Sequence, residues 1–333
     1  MIISRTPYRM SFFGGGTDYP DWYLKEGGAV LSTSIDKYCY LTCRYYPPFF
    51  TNKHRVVWSH IEVVSSISEI LHPAVREGLR FLEFDNSTGV EIHHQGDLPA
   101  RTGMGSSSAF AVGLIKGLMA LKGQMVGKHE LALKAIELEQ NQLKDVVGSQ
   151  DQVATSYGGF NVIRFGRSGD IKVEPVTVPR SRILELESHL MLFYTGTSRF
   201  SSEIASKVIA NLDRKQSVLR QMHQMVDEAV SILNSQDSLD AFGKLLHEAW
   251  LLKRDLSPGV TSSQVDTIYE TAINNGAMGG KLLGAGGAGF MVFYVPAEKQ
   301  EAVKQALSQL LWVPLAFERE GSTIIHYDEP ASF

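Results

Sequence analysis

Apolar and β-branched residues dominate the opening of the chain, where Ile2 to Phe13 and Ala29 to Tyr46 read as extended and Arg55 to Ser59 as a further short strand. The period then lengthens. Ile70, Leu71, Val75, Leu79 and Leu82 recur at helical spacing and predict a helix over Ile67 to Phe84. Val90 to His94 alternates as a strand and runs into a loop of glycine and serine. Helices are predicted over Ala109 to Leu121 and Lys128 to Lys144, with a shorter one starting near Gly148. Phe160 to Phe165 and Ile171 to Val178 read as paired strands around Gly166-Arg167-Ser168-Gly169. The charged, proline-marked stretch Pro179 to Glu187 is the best boundary and divides 1–184 from 185–333.

The second part opens on a strand, His189 to Tyr194, followed by helical patterns over Ser201 to Asn234, Ser238 to Asp255 and Ser262 to Asn275. A run of glycines precedes the strand Phe290 to Val295; a helix over Ala297 to Leu311 and short strands near Val313 to Phe317 and Thr323 to Tyr327 follow. Strands and helices mix without strict alternation, and no fixed repeat shows, so the class is α+β rather than a doubly wound sheet.

Composition narrows the partners. The 333 residues suffice for two domains with a real core; 44 % are hydrophobic and 20 % charged, as in soluble globular proteins. A net charge of −4 with no long basic run argues against nucleic acid or an anionic membrane surface. Met1-Ile2-Ile3-Ser4-Arg5 does not open an apolar leader, and no apolar run approaches the roughly 20 residues that span a bilayer. Cys39 and Cys43 fall on one face of a strand without companions for a thiolate metal site, so reduced, buried thiols in a cytoplasmic protein are expected.

Four stretches carry candidate chemistry. Gly103-Met104-Gly105-Ser106-Ser107-Ser108 runs straight into an Ala-rich helix. Its glycines let backbone approach a ligand, and the helix N-terminus offers N–H groups and a positive dipole end to an anion. The loop reads equally as an ordinary capped helix. Arg9 lies on a strand ending in Gly14-Gly15-Gly16-Thr17-Asp18, an acceptor-rich turn suited to sugar hydroxyls, or simply an Asx turn. Glu139 sits near a helix end, 12 residues before Asp151, close enough to meet it across a turn. Finally, six glycines fall within the 11 residues from Gly279 to Gly289, together with Lys281, more than a simple turn needs.

Taken together these resemble the GHMP kinase superfamily, which includes galactokinase, homoserine kinase and mevalonate kinase. Pro7-Tyr8-Arg9 through Asp18-Tyr19 is similar to the family's first motif, with Ser11 in place of Asn and Gly15-Gly16 in place of Glu-His. Gly103 to Ala109 resembles its phosphate loop, and Lys281 to Gly287 its third motif. The resemblance implies a fold of two parts, an N-terminal domain like ribosomal protein S5 and a ferredoxin-like C-terminal domain, with the active site between them. Arg5 to Pro20 further resembles the sugar kinases that act on D-glycero-D-manno-heptose 7-phosphate; Gly148-Ser149-Gln150-Asp151-Gln152 is close to that group's Gly-Lys-Gln-Asp-Gln, with Ser149 where lysine is usual.

The resemblance implies roles. Residues 103 to 108 would hold the phosphates of ATP, and Ser107 and Glu139 would ligate Mg²⁺. Asp151 would accept or orient the proton of the acceptor hydroxyl, with Arg9 beside it as a neutralising cation. Gly15, Gly16, Thr17, Asp18, Lys281 and Gly286 would face the sugar. A sugar phosphate needs charge-assisted donors at its far end, for which Arg199 and Lys253-Arg254 are candidates. Partners are then ATP and a small sugar phosphate, and a homodimer is left open.

Overall fold

The computed structural model describes residues 1–196 and 201–329. Its larger sheet is organised by one long strand, Gly28–Tyr45, which pairs antiparallel with Ile2–Phe13 along one edge. On its other edge it takes two partners in succession: Phe160–Phe165 opposite Gly28 to Thr33, and Val90–Gly96 opposite Cys39 to Tyr45. His54–Val57 adds on in parallel to Val90–Gly96, and Ile61–Val64 forms the outer edge. Cys39 and Cys43 are buried free thiols of the long strand, pushed up to about 12 by burial.

The helix Ser106–Leu121 lies across the inner face of this sheet. It is apolar nearly all round, as a buried helix must be. Gly113 and Gly117 let it sit close: Cβ atoms there would lie 2.9 Å from Thr6 Oγ1 and 3.0 Å from Cys43 Sγ. Ser4 Oγ fixes the contact by donating to the Gly113 carbonyl at 2.8 Å.

The smaller sheet runs Leu311–Val313, Leu190–Tyr194, Phe290–Tyr294, Gly279–Leu282 in space, all antiparallel. By chain order this is 4-1-3-2, the ferredoxin-like arrangement, with a first crossover enlarged to four helices between Ser201 and Asn274. Phe242 on the helix Asp240–Leu256 meets Phe12 and Phe13 edge-on at 5.4 and 5.1 Å. Each such pair adds about 0.5–1.5 kcal/mol beyond its buried area, and these join the two halves directly beneath the cleft.

Several elements depart from the pattern-based expectation. Pro73 cannot continue a helix begun upstream, so Ile67 to Phe84 resolves into a single turn, Ile67–Glu69, and a helix, Pro73–Phe81. The boundary stretch is itself a helix, Arg180–Ser188. Gly279–Leu282 is a strand within the glycine run: Cβ atoms at Gly279 and Gly280 would lie 2.0 Å from the Gly243 carbonyl oxygen and 2.4 Å from the Phe293 ring. The chain's end also returns to the first sheet, where Phe317–Glu318 pairs with Ile35 and Ser34, and Thr323–Tyr327 with Ile2 to Arg5. Residues 317–327 therefore complete the sheet of the first half.

Candidate active site

Arg9 and Asp151 form the centre of the cleft. Arg9 projects from the first strand and is almost fully buried; Asp151 stands in the first turn of the helix Gln150–Tyr157, where a carboxylate suits the helix dipole. The guanidinium donates to both carboxylate oxygens, Nε to Oδ1 at 2.7 Å and Nη2 to Oδ2 at 2.6 Å, the bidentate geometry that fixes both partners. Its remaining arm donates to the Gly103 carbonyl at 2.7 Å, and its backbone N–H to the Met104 carbonyl at 3.1 Å. Gly105 is needed here. A Cβ at that residue would lie 3.0 Å from Arg9 Cγ, and its φ of +73° is one that glycine adopts freely.

The serines that follow do not cap their helix. Its N-terminus begins at Gly105 with no side-chain cap, which leaves the first-turn N–H groups facing the cleft. Ser106 Oγ instead accepts the Arg101 N–H at 3.1 Å. Ser107 and Ser108 donate to the two oxygens of Glu139 at 2.8 and 2.6 Å, and Gln152 Nε2 adds a third bond at 2.5 Å. Glu139 sits in a widened turn, Leu138–Gln142, closed by an i→i+5 bond from Leu143 to Leu138, a local insertion that turns the carboxylate inward. Burial pushes this carboxyl up to about 7, and Gln152 Oε1 beside it is buried without a partner.

Gly15, Gly16 and Asp18 line the cleft beside the segment that leads into Asp151. Asp18 Oδ1 accepts the Gly16 N–H at 2.9 Å, its backbone carbonyl accepts the Ser149 N–H, and Gly148 leaves its carboxylate room: a Cβ there would lie 1.9 Å from Asp18 Oδ2. Burial raises the Asp18 carboxyl above its ordinary value. From the other half come two buried lysines. Lys253 Nζ donates to the Leu282 and Gly284 carbonyls at 3.0 and 2.5 Å, and Lys281 Nζ to the Phe12 carbonyl at 2.6 Å. These groups border an open cleft with about 1060 Å³ of space open to solvent, lined also by Val146, Val147, Leu256 and Val260.

Most of the expected residues converge. Arg9, Gly15, Gly16, Asp18, Gly103, Gly105, Ser106, Ser107, Asp151 and Lys281 all line the cleft. Others do not. Met104 is fully buried in the core and contributes only its carbonyl, while Ser108 reaches Glu139 rather than the cleft. Thr17 was expected at the sugar, but its hydroxyl donates to the Gly14 carbonyl and accepts from the Ala29 N–H, so it fastens the turn instead. Gly286 likewise packs on Val260, where a Cβ would lie 2.7 Å from the carbonyl oxygen. Arg254 turns away to Asp266 at 3.3 Å, and Arg199 lies outside the described residues. Sequence reasoning gave no separate role to Arg101, which lines the cleft, or to the Gln152 amide on Glu139. The left-handed Arg101 (φ +62°) has no sequence signal beyond its place ahead of a glycine loop.

A helix N-terminus opening on a cleft, with an anchored carboxylate beside it, defines a small-molecule phosphotransferase site on an α+β scaffold. The chain belongs to the GHMP kinases: the family's N-terminal domain matches residues 69–159 and its C-terminal domain residues 229–311. It is a kinase acting on an alcohol acceptor, with sugar kinases among its relatives. It is 28% identical to a D-glycero-alpha-D-manno-heptose 7-phosphate kinase of Campylobacter jejuni, over 96% of this chain and 97% of that one. It is 24% identical to a galactokinase of Pyrococcus furiosus over 92% of each. In fold it superposes on a D-glycero-D-manno-heptose 1-phosphate kinase from Bacteroides thetaiotaomicron with a TM-score of 0.80, at 23% identity over 98% of this chain and 100% of that one. No helix among the described residues is long and apolar enough to cross a membrane.

Proposed function

We propose that this kinase transfers the γ-phosphoryl group of ATP to the anomeric hydroxyl of D-glycero-D-manno-heptose 7-phosphate, giving the 1,7-bisphosphate. The observation that carries the kinase chemistry is the bidentate Arg9–Asp151 pair held beside the uncapped helix N-terminus at the cleft. The sugar rests on the Arg5 to Pro20 motif and on the relative of matching length that is named for heptose 7-phosphate. Asp151, held rigid by Arg9, accepts a hydrogen bond from the acceptor hydroxyl and aims its oxygen at the γ-phosphorus. As the new P–O bond forms and the bond to ADP breaks, the hydroxyl proton passes to Asp151 or to water. An anomeric hydroxyl is more acidic than an ordinary alcohol, so orientation is the larger part of the task.

GHMP kinases use ATP, generally with Mg²⁺. Ser107 and Glu139 are hard oxygen donors suited to that ion, and the residues present fit it: among the described residues no cation pairs with the buried Glu139 carboxyl, pushed up to about 7, and the neighbouring Gln152 Oε1 has no hydrogen-bond partner. Bound there, Mg²⁺ would neutralise the charge that develops on the nucleotide phosphates. The substrate assignment is tested with a panel of acceptors, following ³¹P resonances of the products. Heptose 7-phosphate is expected to exceed unphosphorylated heptose in kcat/KM by at least about tenfold, with a new signal from an anomeric phosphate. Preference for a neutral hexose would overturn the heptose phosphate reading and leave a general sugar kinase.

A further inference from the structure

The cleft holds more positive charge than the transfer of one phosphoryl group accounts for. Lys253 and Lys281 are 8 % and 4 % exposed, line the cleft, and, among the described residues, form no ion pair. Their hydrogen-bond partners among the described residues are the carbonyls of Leu282, Gly284 and Phe12. A carbonyl satisfies an ammonium's hydrogen bonds but supplies no opposite charge, so two buried cations side by side carry a large desolvation cost. Arg9 is already matched by Asp151 and does not relieve it.

We propose that Lys253 and Lys281 form a second phosphate site, separate from the phosphate loop, which takes the phosphate monoester already carried by the acceptor sugar. The inference rests on the kinase reading above and deepens it. Its location argues for the acceptor rather than the nucleotide. ATP's phosphates are served from the first half by the loop and helix N-terminus, whereas both lysines come from the second half: Lys281 bonds beside the sugar-facing turn, and Lys253 is anchored on Leu282 and Gly284 with its helix running toward that turn. Lys281 bonds to Phe12, just ahead of Gly14, and Leu256, one turn beyond Lys253, lies 3.5 Å from where a Gly16 Cβ would be. Asp18 acts electrostatically on both ammonium groups, which burial shifts below their ordinary basicity, helped by Arg9 at Lys253 and by Lys253 and Arg9 at Lys281. A dianion between them would restore full protonation and remove the repulsion.

The test fills the nucleotide site first. With saturating AMP-PNP and Mg²⁺, inorganic phosphate is titrated calorimetrically into wild type, Lys253→Gln and Lys281→Gln, then into the two Met variants; glutamine keeps a donor for the carbonyls, and circular dichroism verifies that each variant is folded. Wild type is expected to bind phosphate, and each variant to bind it at least about tenfold more weakly. In kinetics, the ratio of kcat/KM for phosphorylated over unphosphorylated heptose is expected to fall at least about tenfold in each variant. Phosphate binding that is absent in wild type, or indifferent to both lysines, overturns the site. A loss of the same factor on both acceptors overturns it too, since that is the signature of cations acting on the transferred group. An enzyme that ignores heptose 7-phosphate but binds inorganic phosphate through both lysines upholds the site and overturns only the sugar assignment.

Discussion

Two glycine-rich loops meet backbone to backbone at Gly103 and Gly284, and away from that seam they are glycine-rich for different reasons. Gly103 and Gly105 line the cleft, and at Gly105 the missing side chain leaves room for the Arg9 guanidinium beneath a bare helix end. Between Gly279 and Gly289 the missing side chains mostly face protein: Cβ atoms at Gly284 and Gly289 would lie 2.4 Å from Gly103 Cα and 2.2 Å from the Thr102 carbonyl oxygen. The second loop is the backing plate of the first. Charge divides the same way. On the phosphate-loop side Arg9 faces Asp151 and Glu139 takes three donors, while the second half contributes lysines whose hydrogen bonds, among the described residues, go to carbonyls. A glycine run is therefore ambiguous until its neighbours are known, and the side of a cleft whose charges lack partners is the side awaiting a charged ligand.

The largest effect is expected from breaking the matched side. Asp151→Asn keeps the shape but removes the acceptor charge and leaves Arg9 without its counterion. Turnover should fall by roughly 10²-fold or more, with nucleotide affinity little changed, as steady-state kinetics and nucleotide titration would show. Turnover close to wild type would remove Asp151 from the reaction and with it the functional meaning of the matched pair.

A smaller effect separates packing glycines from ligand-facing ones. Gly284→Ala places a Cβ against the Gly103 backbone at φ +71°, so it should lower stability by about 1–3 kcal/mol in denaturant unfolding. Gly15→Ala differs: both glycines line the cleft, but at Gly15 the nearest neighbour would be Gln150 Nε2 at an ordinary 3.7 Å and φ is not left-handed. It should leave stability within about 1 kcal/mol and raise the KM for the acceptor instead. The reverse pattern would erase the distinction between the loops.

Legibility in the sequence followed the range of the forces involved. Ile2–Phe13, Phe160–Phe165 and Thr323–Tyr327 were bounded correctly by local β propensity. What composition concealed was tertiary. The strand Gly279–Leu282 exists because Gly243 and Phe293 press on it, and no local propensity favours it. Thr17 shows the same limit within the site: a hydroxyl beside an aspartate reads as a sugar ligand, until the strand at Ala29 takes it up. Lys253 was legible only as one of two adjacent cations; burial against Leu282 and Gly284 separates it from Arg254, which reaches Asp266.

The smallest effect probes the unmatched side through pH. Burial, and then Arg9, lower Lys253 from its ordinary 10.5 to about 7, against the opposing pull of Asp18 and Asp151. Below pH 7 the ammonium is charged in both folded and unfolded chains, and the fold bears its full desolvation cost. Above it, the folded protein has released a proton that the unfolded chain keeps until about 10.5, so stability rises with pH across that window. One proton contributes at most about 1.4 kcal/mol per pH unit, so between pH 7 and 8.5 wild type should gain roughly 1–2 kcal/mol relative to Lys253→Met. Comparing the two proteins cancels the tyrosines and thiols that titrate higher. Inorganic phosphate should flatten the difference, because a bound dianion keeps the lysine protonated in the fold as well. Parallel curves without phosphate would mean that Lys253 keeps its proton throughout, and that the protein already supplies the counter-charge its carbonyl partners lack.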